Sequence, residues 1–134
     1  MNTKIIAQAA QATLVGNLPF PQIVGMLIEA GVEYYYVDYA GRSKSFYSPD
    51  GDKVVTPITY NELPTIMPEL DITALKEAIR DSQQNGQKYY DFSIRAMKAG
   101  VQGYIAFLRG QRVTYLGRNG DQHTEWFPGA RPTD

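Results

Sequence analysis

The chain of 134 residues carries one histidine and no cysteine, which narrows its chemistry at once. A thiol nucleophile, a disulfide and a zinc–thiolate centre are excluded, and a Ser–His–acid relay would have to use His123. His123 stands between Asp121 and Glu125, and a spacing of two puts all three on one face of a strand, where they could converge on a cation. The same spacing fits a plain solvated face, with Gln122, Thr124 and Trp126 turned the other way. Asp38, inside an aromatic strand, is a second candidate. A half-buried carboxylate can serve as an acid or base, but more often caps a turn or bonds a nearby tyrosine hydroxyl or Arg. A third group is the tyrosine set, Tyr34, Tyr35, Tyr36, Tyr39, Tyr47, Tyr104 and Tyr115. On a sheet such rings can form a platform for a sugar, a peptide or stacked bases, or simply fill the core. Alternation puts Tyr35, Tyr39 and Tyr104 on one face and Tyr34 and Tyr36 on the other, so they cannot all line one site. Arg109, Arg112 and Arg118 flank the last hairpin, where they could hold an anion or act as a charged rim that protects a sheet edge. No Gly-x-Ser-x-Gly elbow, phosphate-binding loop or dinucleotide glycine fingerprint occurs.

Composition limits the partners. Net charge is −1, and the 43% hydrophobic and 20% charged shares are those of a folded chain. Residues 1–70 hold four basic and seven acidic side chains and residues 71–134 nine and seven. A net-acidic whole argues against nonspecific nucleic-acid binding, which depends on neutralising phosphates. No apolar run is long enough to span a bilayer, and Gln8 and Gln11 interrupt the only stretch that resembles a leader. The expectation is a cytoplasmic protein with no membrane partner and no cofactor.

The elements that position these residues come in two copies. Ala30-Gly31-Val32 returns 69 residues later as Ala99-Gly100-Val101. Between 30–52 and 99–121 seven residue pairs are identical without a gap, where composition alone gives roughly one or two. In each copy the glycine is suited to end a helix in the left-handed conformation, and the valine begins a strand that folds back onto Leu27 or Ala96. The first copy reads as helices over 2–16 and from Pro21 to Ala30, then strands over 32–39, 44–48 and 53–59. The second reads as a helix capped by Asp71 and closed by Asn85-Gly86, a helix over about 88–99, and strands over 101–109, 112–118 and 122–127.

The fold class is therefore α+β: two helix–helix–strand–strand–strand repeats, about 2–60 and 71–128, joined by a proline-containing linker over 61–70. Helices cover one face of antiparallel sheet, and a pseudo-twofold axis relates the copies, whose sheets join edge to edge or pack together. One fused domain over 1–134 is expected, because a half of this size holds only a marginal core.

The copied pattern, Tyr36-Val37-Asp38, and the run Val113-Thr114-Tyr115-Leu116-Gly117-Arg118-Asn119-Gly120-Asp121 ending in Glu125-Trp126-Phe127-Pro128 resemble a small bacterial domain family of unknown function often labelled "phage envelope protein". The resemblance covers nearly the whole chain. It implies a possible phage or prophage connection and carries over no activity, cofactor or catalytic residue.

These readings favour a non-catalytic protein- or ligand-interaction module, dimeric or bound to a protein partner, using Asp38, Tyr35, Tyr104, His123, Glu125 and Trp126 and no metal. The alternative is a small enzyme or metal-dependent protein working from Asp38, or from the Asp121–His123–Glu125 face, in a cleft between the repeats. Function is expected where the copies disagree: Asp38 against Phe107, Val54 against His123, Pro57 against Trp126.

Overall fold

A helix that must turn at once into a strand needs a residue at positive φ, and both copies place glycine there. Gly31 has φ +93° and Gly100 φ +94°. The Gly31 N–H donates to the Ile28 carbonyl and the Val32 N–H to the Leu27 carbonyl, closing the last helical turn as expected. Two further bonds tie this corner to the first helix of each copy. The Asn2 N–H donates to the Ala30 carbonyl (2.8 Å) and the Asp71 N–H to the Ala99 carbonyl (2.7 Å). Asn2 and Asp71 are themselves the helix caps, their side chains accepting from the Ile5 and Ala74 N–H groups.

The computed structural model describes residues 1–132. Its elements are α1 (Thr3–Val15), α2 (Phe20–Glu29), β1 (Tyr34–Asp38), β2 (Ser43–Tyr47), β3 (Lys53–Pro57), α3 (Ile72–Asn85), α4 (Tyr89–Lys98), β4 (Val101–Phe107), β5 (Arg112–Gly117) and β6 (Gln122–Trp126). The helix–helix–strand–strand–strand pattern occurs twice, and α3, α4 and β6 each start 69 residues after their counterparts. Most element ends lie one or two residues from the sequence reading, β3 and β4 each stopping two residues short of it. The first strand opens at Tyr34, leaving Val32 buried in the helix-to-strand corner, and α2 begins one residue before Pro21, which its ring tolerates because that N–H has no helical partner.

Of the two arrangements open to the copies, the chain adopts the edge-to-edge one. A single antiparallel sheet runs β3-β2-β1-β4-β5-β6, with β1 and β4 forming the seam. Tyr36 pairs with Ile105 across that seam, and these two are also repeat counterparts. The pseudo-twofold axis passes between them. On either side Tyr35 faces Ala106 and Val37 faces Tyr104, pairs that the axis exchanges. The bonds beyond obey it too: Leu108 N–H to the Glu33 carbonyl matches Tyr39 N–H to the Gln102 carbonyl, both 3.0 Å.

The helices cover the face carrying Tyr35, Val37, Phe46, Tyr104, Val113 and Tyr115, all buried. Each copy's second helix starts over the other copy's half of the sheet. Phe20 of α2 meets Phe127 edge-on at 5.4 Å, while α4 sets Tyr90 against Tyr60 at 4.7 Å and Tyr89 against Lys44 of β2. Burial of apolar area is the main stabilising contribution, and here it is shared: neither copy completes its own core.

The opposite sheet face carries no helix. Strand register lays it out in three rows. The first is Lys53–Tyr47–Tyr34–Phe107–Arg112–Trp126. The central row, on the axis, is Val55–Ser45–Tyr36–Ile105–Thr114–Thr124. The third is Pro57–Ser43–Asp38–Gly103–Leu116–Gln122.

Candidate functional site: the open sheet face and its aromatic row

The first row is a continuous side-chain ladder. Tyr34 and Tyr47 are directly opposed on β1 and β2 and their rings stack, centroids 5.0 Å apart and planes 18° from parallel. Across the seam Phe107 lies 6.2 Å from Tyr34. Next along, the Arg112 guanidinium lies 4.2 Å over the Trp126 ring, a contact between a cation and the negative face of the π-system. Beside it the Thr114 and Thr124 hydroxyls bond each other at 3.0 Å.

This end of the face holds a recess of about 560 Å³, within the range of small-molecule sites. Glu33 and Tyr34 come from the first copy, and Phe107, Arg109, Arg112 and Thr114 from the second, so the recess sits on the junction of the copies. Its rim pair is loose. Arg109 stands 3.6 Å from Glu33 with 84% of its side chain exposed, a separation and exposure at which an ion pair contributes little.

The candidates named from sequence are scattered by the fold. Trp126 lies in the aromatic row. Asp38 is on the same face but at the opposite end, where its carboxylate accepts from the Gly41 N–H at 2.9 Å and so caps the β1–β2 turn. Tyr35 and Tyr104 belong to the other alternation set, face the helices and are 5% and 6% exposed, which closes them to an outside ligand. His123 and Glu125 share that helix-side face at the β6 edge and bond each other at 3.1 Å. Asp121 does not join them: it lies in the turn before β6, its carbonyl accepting from the Gly117 N–H, and among the described residues no three metal-ligating side chains form a group able to hold an ion. Arg118 is separate from Arg109 and Arg112, donating to the Ile66 carbonyl to pin the linker.

One residue of chemical interest escaped the sequence reading. Lys44 is 3% exposed, on the helix-side face, with its Nζ 4.2 Å over the Tyr89 ring. No carboxylate pairs with it among the described residues, and burial pulls its amine down to about 7. Its ladder neighbour Thr56 has a buried hydroxyl with no hydrogen-bond partner. Close by, Tyr39 donates to Ser93 Oγ at 3.1 Å and the Tyr89 and Tyr104 hydroxyls bond at 2.7 Å. Burial pushes Tyr39 up to about 12 and raises Tyr89 and Tyr104 as well, so these hydroxyls stay protonated. Burial gives this amine a far larger neutral fraction than an ordinary lysine, and a neutral amine has nucleophilic chemistry in principle, but α4 lies over it. The signal was available: the repeat counterpart of Lys44 is Val113, a core position.

Fold and site together define a duplicated α+β protein with one helix-covered and one open sheet face, the open face furnished with aromatic rings at one end. The chain belongs to the family described as "Protein of unknown function (DUF1398)", which it matches over residues 20–124. It is similar to the uncharacterized proteins Mb2035 of Mycobacterium bovis and Rv2012 of Mycobacterium tuberculosis, each 28% identical over 135 residues, an overlap that takes in 94% of this chain and 79% of the relative. Neither the family description nor these names mention a phage. No helix among the described residues is long and apolar enough to cross a membrane.

Proposed function

We propose that the chain is a non-catalytic binding module of the cytoplasm that holds a ligand or a partner's side chains on the aromatic end of its open sheet face. The observation that carries this reading is the row Tyr47–Tyr34–Phe107–Arg112–Trp126 on a face without a helix, of which Tyr34, Phe107 and Arg112 line a recess of about 560 Å³. Aromatic side chains half out of water keep apolar area available for burial against a partner, and an antiparallel sheet needs only one covered face to be stable. The phage or prophage setting is part of the same proposal, supported by the family resemblance alone.

A thermal-shift screen of sugars, nucleotides, short peptides and metal ions on the wild type and on Tyr34→Ala tests it. Compounds that raise the melting temperature of the wild type should fail to do so in the variant. Compounds acting equally on both, or turnover of any of them, would overturn the reading.

A further inference from the structure

We infer that the recess at the seam takes a nucleotide-sized ligand, a planar aromatic base carrying a phosphate. This rests on the binding-module reading above and names its ligand class.

Two kinds of surface meet in the recess, and each asks for a different part of one molecule. The floor is Tyr34 and Phe107, with Tyr34 held in place by its stack on Tyr47. Tyr34 gives one face to Tyr47, so a flat π-system would meet the Tyr34 and Phe107 rings at the edges turned to the recess, an edge-to-face contact open to a base of any identity. The wall is Arg109 and Arg112. Arg112 is fixed by its seat on Trp126, and among the described residues no carboxylate stands within ion-pair distance of it. Only Glu33, 29% exposed, faces Arg109, at 3.6 Å. Two guanidiniums against one carboxylate leave a net positive wall. A guanidinium is a fork of N–H donors that suits a phosphate's oxygens.

A neutral sugar would leave both arginines unused, and a bare anion would leave the aromatic floor in water. A long nucleic acid needs many cations in line, and the chain's net charge is −1. One base and one phosphate match what is present.

The repeat provides an internal control. Under the pseudo-twofold the floor and wall residues Tyr34, Phe107 and Arg112 exchange with Gly103, Asp38 and Ser43. The counterpart positions therefore carry neither ring nor cation, although their backbone is the same, and the space over Gly103 is taken by the Tyr36 ring. The site follows from side chains on one end of the face, and the other end should be inert.

Trp126 is the sole tryptophan, so its fluorescence reports on this end directly. The protein is titrated with AMP and GMP, and in parallel with adenosine, inorganic phosphate and a thymidine decanucleotide, with melting temperature as a second readout. The expected result is quenching and a raised melting temperature with the mononucleotides. Adenosine or phosphate alone should bind at least about tenfold more weakly, since each forfeits one half of the site. Arg112→Ser should cost about tenfold in mononucleotide affinity, while Asp38→Asn, at the far end, should leave it unchanged. The inference is overturned if adenosine or phosphate matches the mononucleotide. Decanucleotide binding that is tighter and falls steeply with salt, or no response at millimolar nucleotide, would overturn it equally. In that last case ligands from the wider screen that still depend on Tyr34 would leave the binding-module reading standing.

Discussion

The two ends of the open sheet face occupy equivalent places in the fold and share almost nothing in chemistry. The pseudo-twofold axis through Tyr36 and Ile105 turns the first row into the third, so Tyr47, Tyr34, Phe107, Arg112 and Trp126 exchange with Leu116, Gly103, Asp38, Ser43 and Pro57. Backbone features held in common, such as positive φ at both Arg42 (57°) and Gln111 (56°), follow the symmetry closely. What the scaffold needs is kept in both copies; what only one end needs appears once. Gly103 illustrates the division. A Cβ there would come within 2.5 Å of the Val37 carbonyl oxygen and 3.0 Å of the Tyr36 hydroxyl, so the glycine lets the axial tyrosine lie down over β4, and no side chain can stand at position 103 itself. The third row is bare at its centre for a structural reason, and no such steric need accounts for the rings of the first.

Substitutions at counterpart positions test this division, and the largest effect falls where the copies look most alike. Gly31 and Gly100 share the same positive φ, and a β-carbon at either costs about 1–2 kcal/mol from the conformation alone. Their surroundings differ. A Cβ on Gly31 would meet Met1 at a comfortable 3.6 Å, whereas on Gly100 it would overlap the Glu69 carbonyl oxygen of the linker. Backbone has no rotamer by which to move aside. Gly100→Ala is therefore expected to lose about 3 kcal/mol or more and Gly31→Ala about half of that, measured by urea unfolding. Equal losses would show that the linker yields freely.

The next effect has the opposite sign. Lys44 stands where its counterpart Val113 is apolar, and its amine is held at about 7 by burial against an ordinary 10.5. Between those values the unfolded chain binds one more proton than the folded one. Stability therefore rises with pH across the window, at up to about 1.4 kcal/mol per unit, and the full cost is present below about 7. The buried tyrosines act the other way: Tyr39, raised from 10.0 to about 12, adds stability that is lost as pH climbs through that range. The wild type is expected to be most stable near pH 10, by thermal melts across pH 6–11. Lys44→Met should gain about 2 kcal/mol at pH 7 and flatten the rise below pH 10. A variant less stable than the wild type would mean that the amine has a partner that Met cannot replace.

Lys44 also marks how far the sequence could be read. Order and type of the elements were legible because the repeat supplied a ruler: a helix inferred in one copy had to recur in the other. Alternation sorted strand residues into two sets, Tyr35 and Tyr104 in one and Tyr34 and Tyr36 in the other, as found. It carries no sign, however. Both sets are rich in rings, so nothing local says which one the helices cover, and Tyr35 and Tyr104 were candidates for a surface they do not reach. In Ser43-Lys44-Ser45-Phe46 the lysine is in phase with a phenylalanine, a conflict that only comparison with Val113 and Tyr115 resolves. The seam between β1 and β4, and the crossing of α2 and α4 onto the opposite halves, depend on contacts 30 or more residues apart, such as Tyr60 with Tyr90 and Tyr39 with Ser93. Those contacts leave no periodicity behind.

A smaller change strips the furnished end of its cation. Arg112→Ser installs the residue found at the counterpart position. Its cost to folding should be within about 1 kcal/mol, the worth of one half-exposed cation–π contact, with the far-UV circular dichroism unchanged. A loss well above that would make the aromatic row part of what holds β5 to β6 rather than a surface held in reserve, and the two ends would then differ by structural need.

The smallest effect is expected at the β6 edge, where His123 and Glu125 replace Val54 and Thr56 of the first copy. Here the copies disagree as plainly as they do on the open face, yet the two side chains satisfy each other at 3.1 Å and Asp121 does not complete a ligand set with them. A difference between copies therefore does not by itself mark a site; it must also leave donors, cations or rings turned toward space. His123→Val tests that distinction. Stability should change by no more than about 0.5 kcal/mol, apolar burial of the valine at a site only 15% exposed offsetting the lost bond to Glu125, and zinc or manganese should leave the melting temperature of both proteins unmoved. A metal-dependent rise in the wild type that disappears in His123→Val would instead make the His123–Glu125 pair the nucleus of a cation site, and would shift the functional end of the molecule from the open face to its helix-side edge.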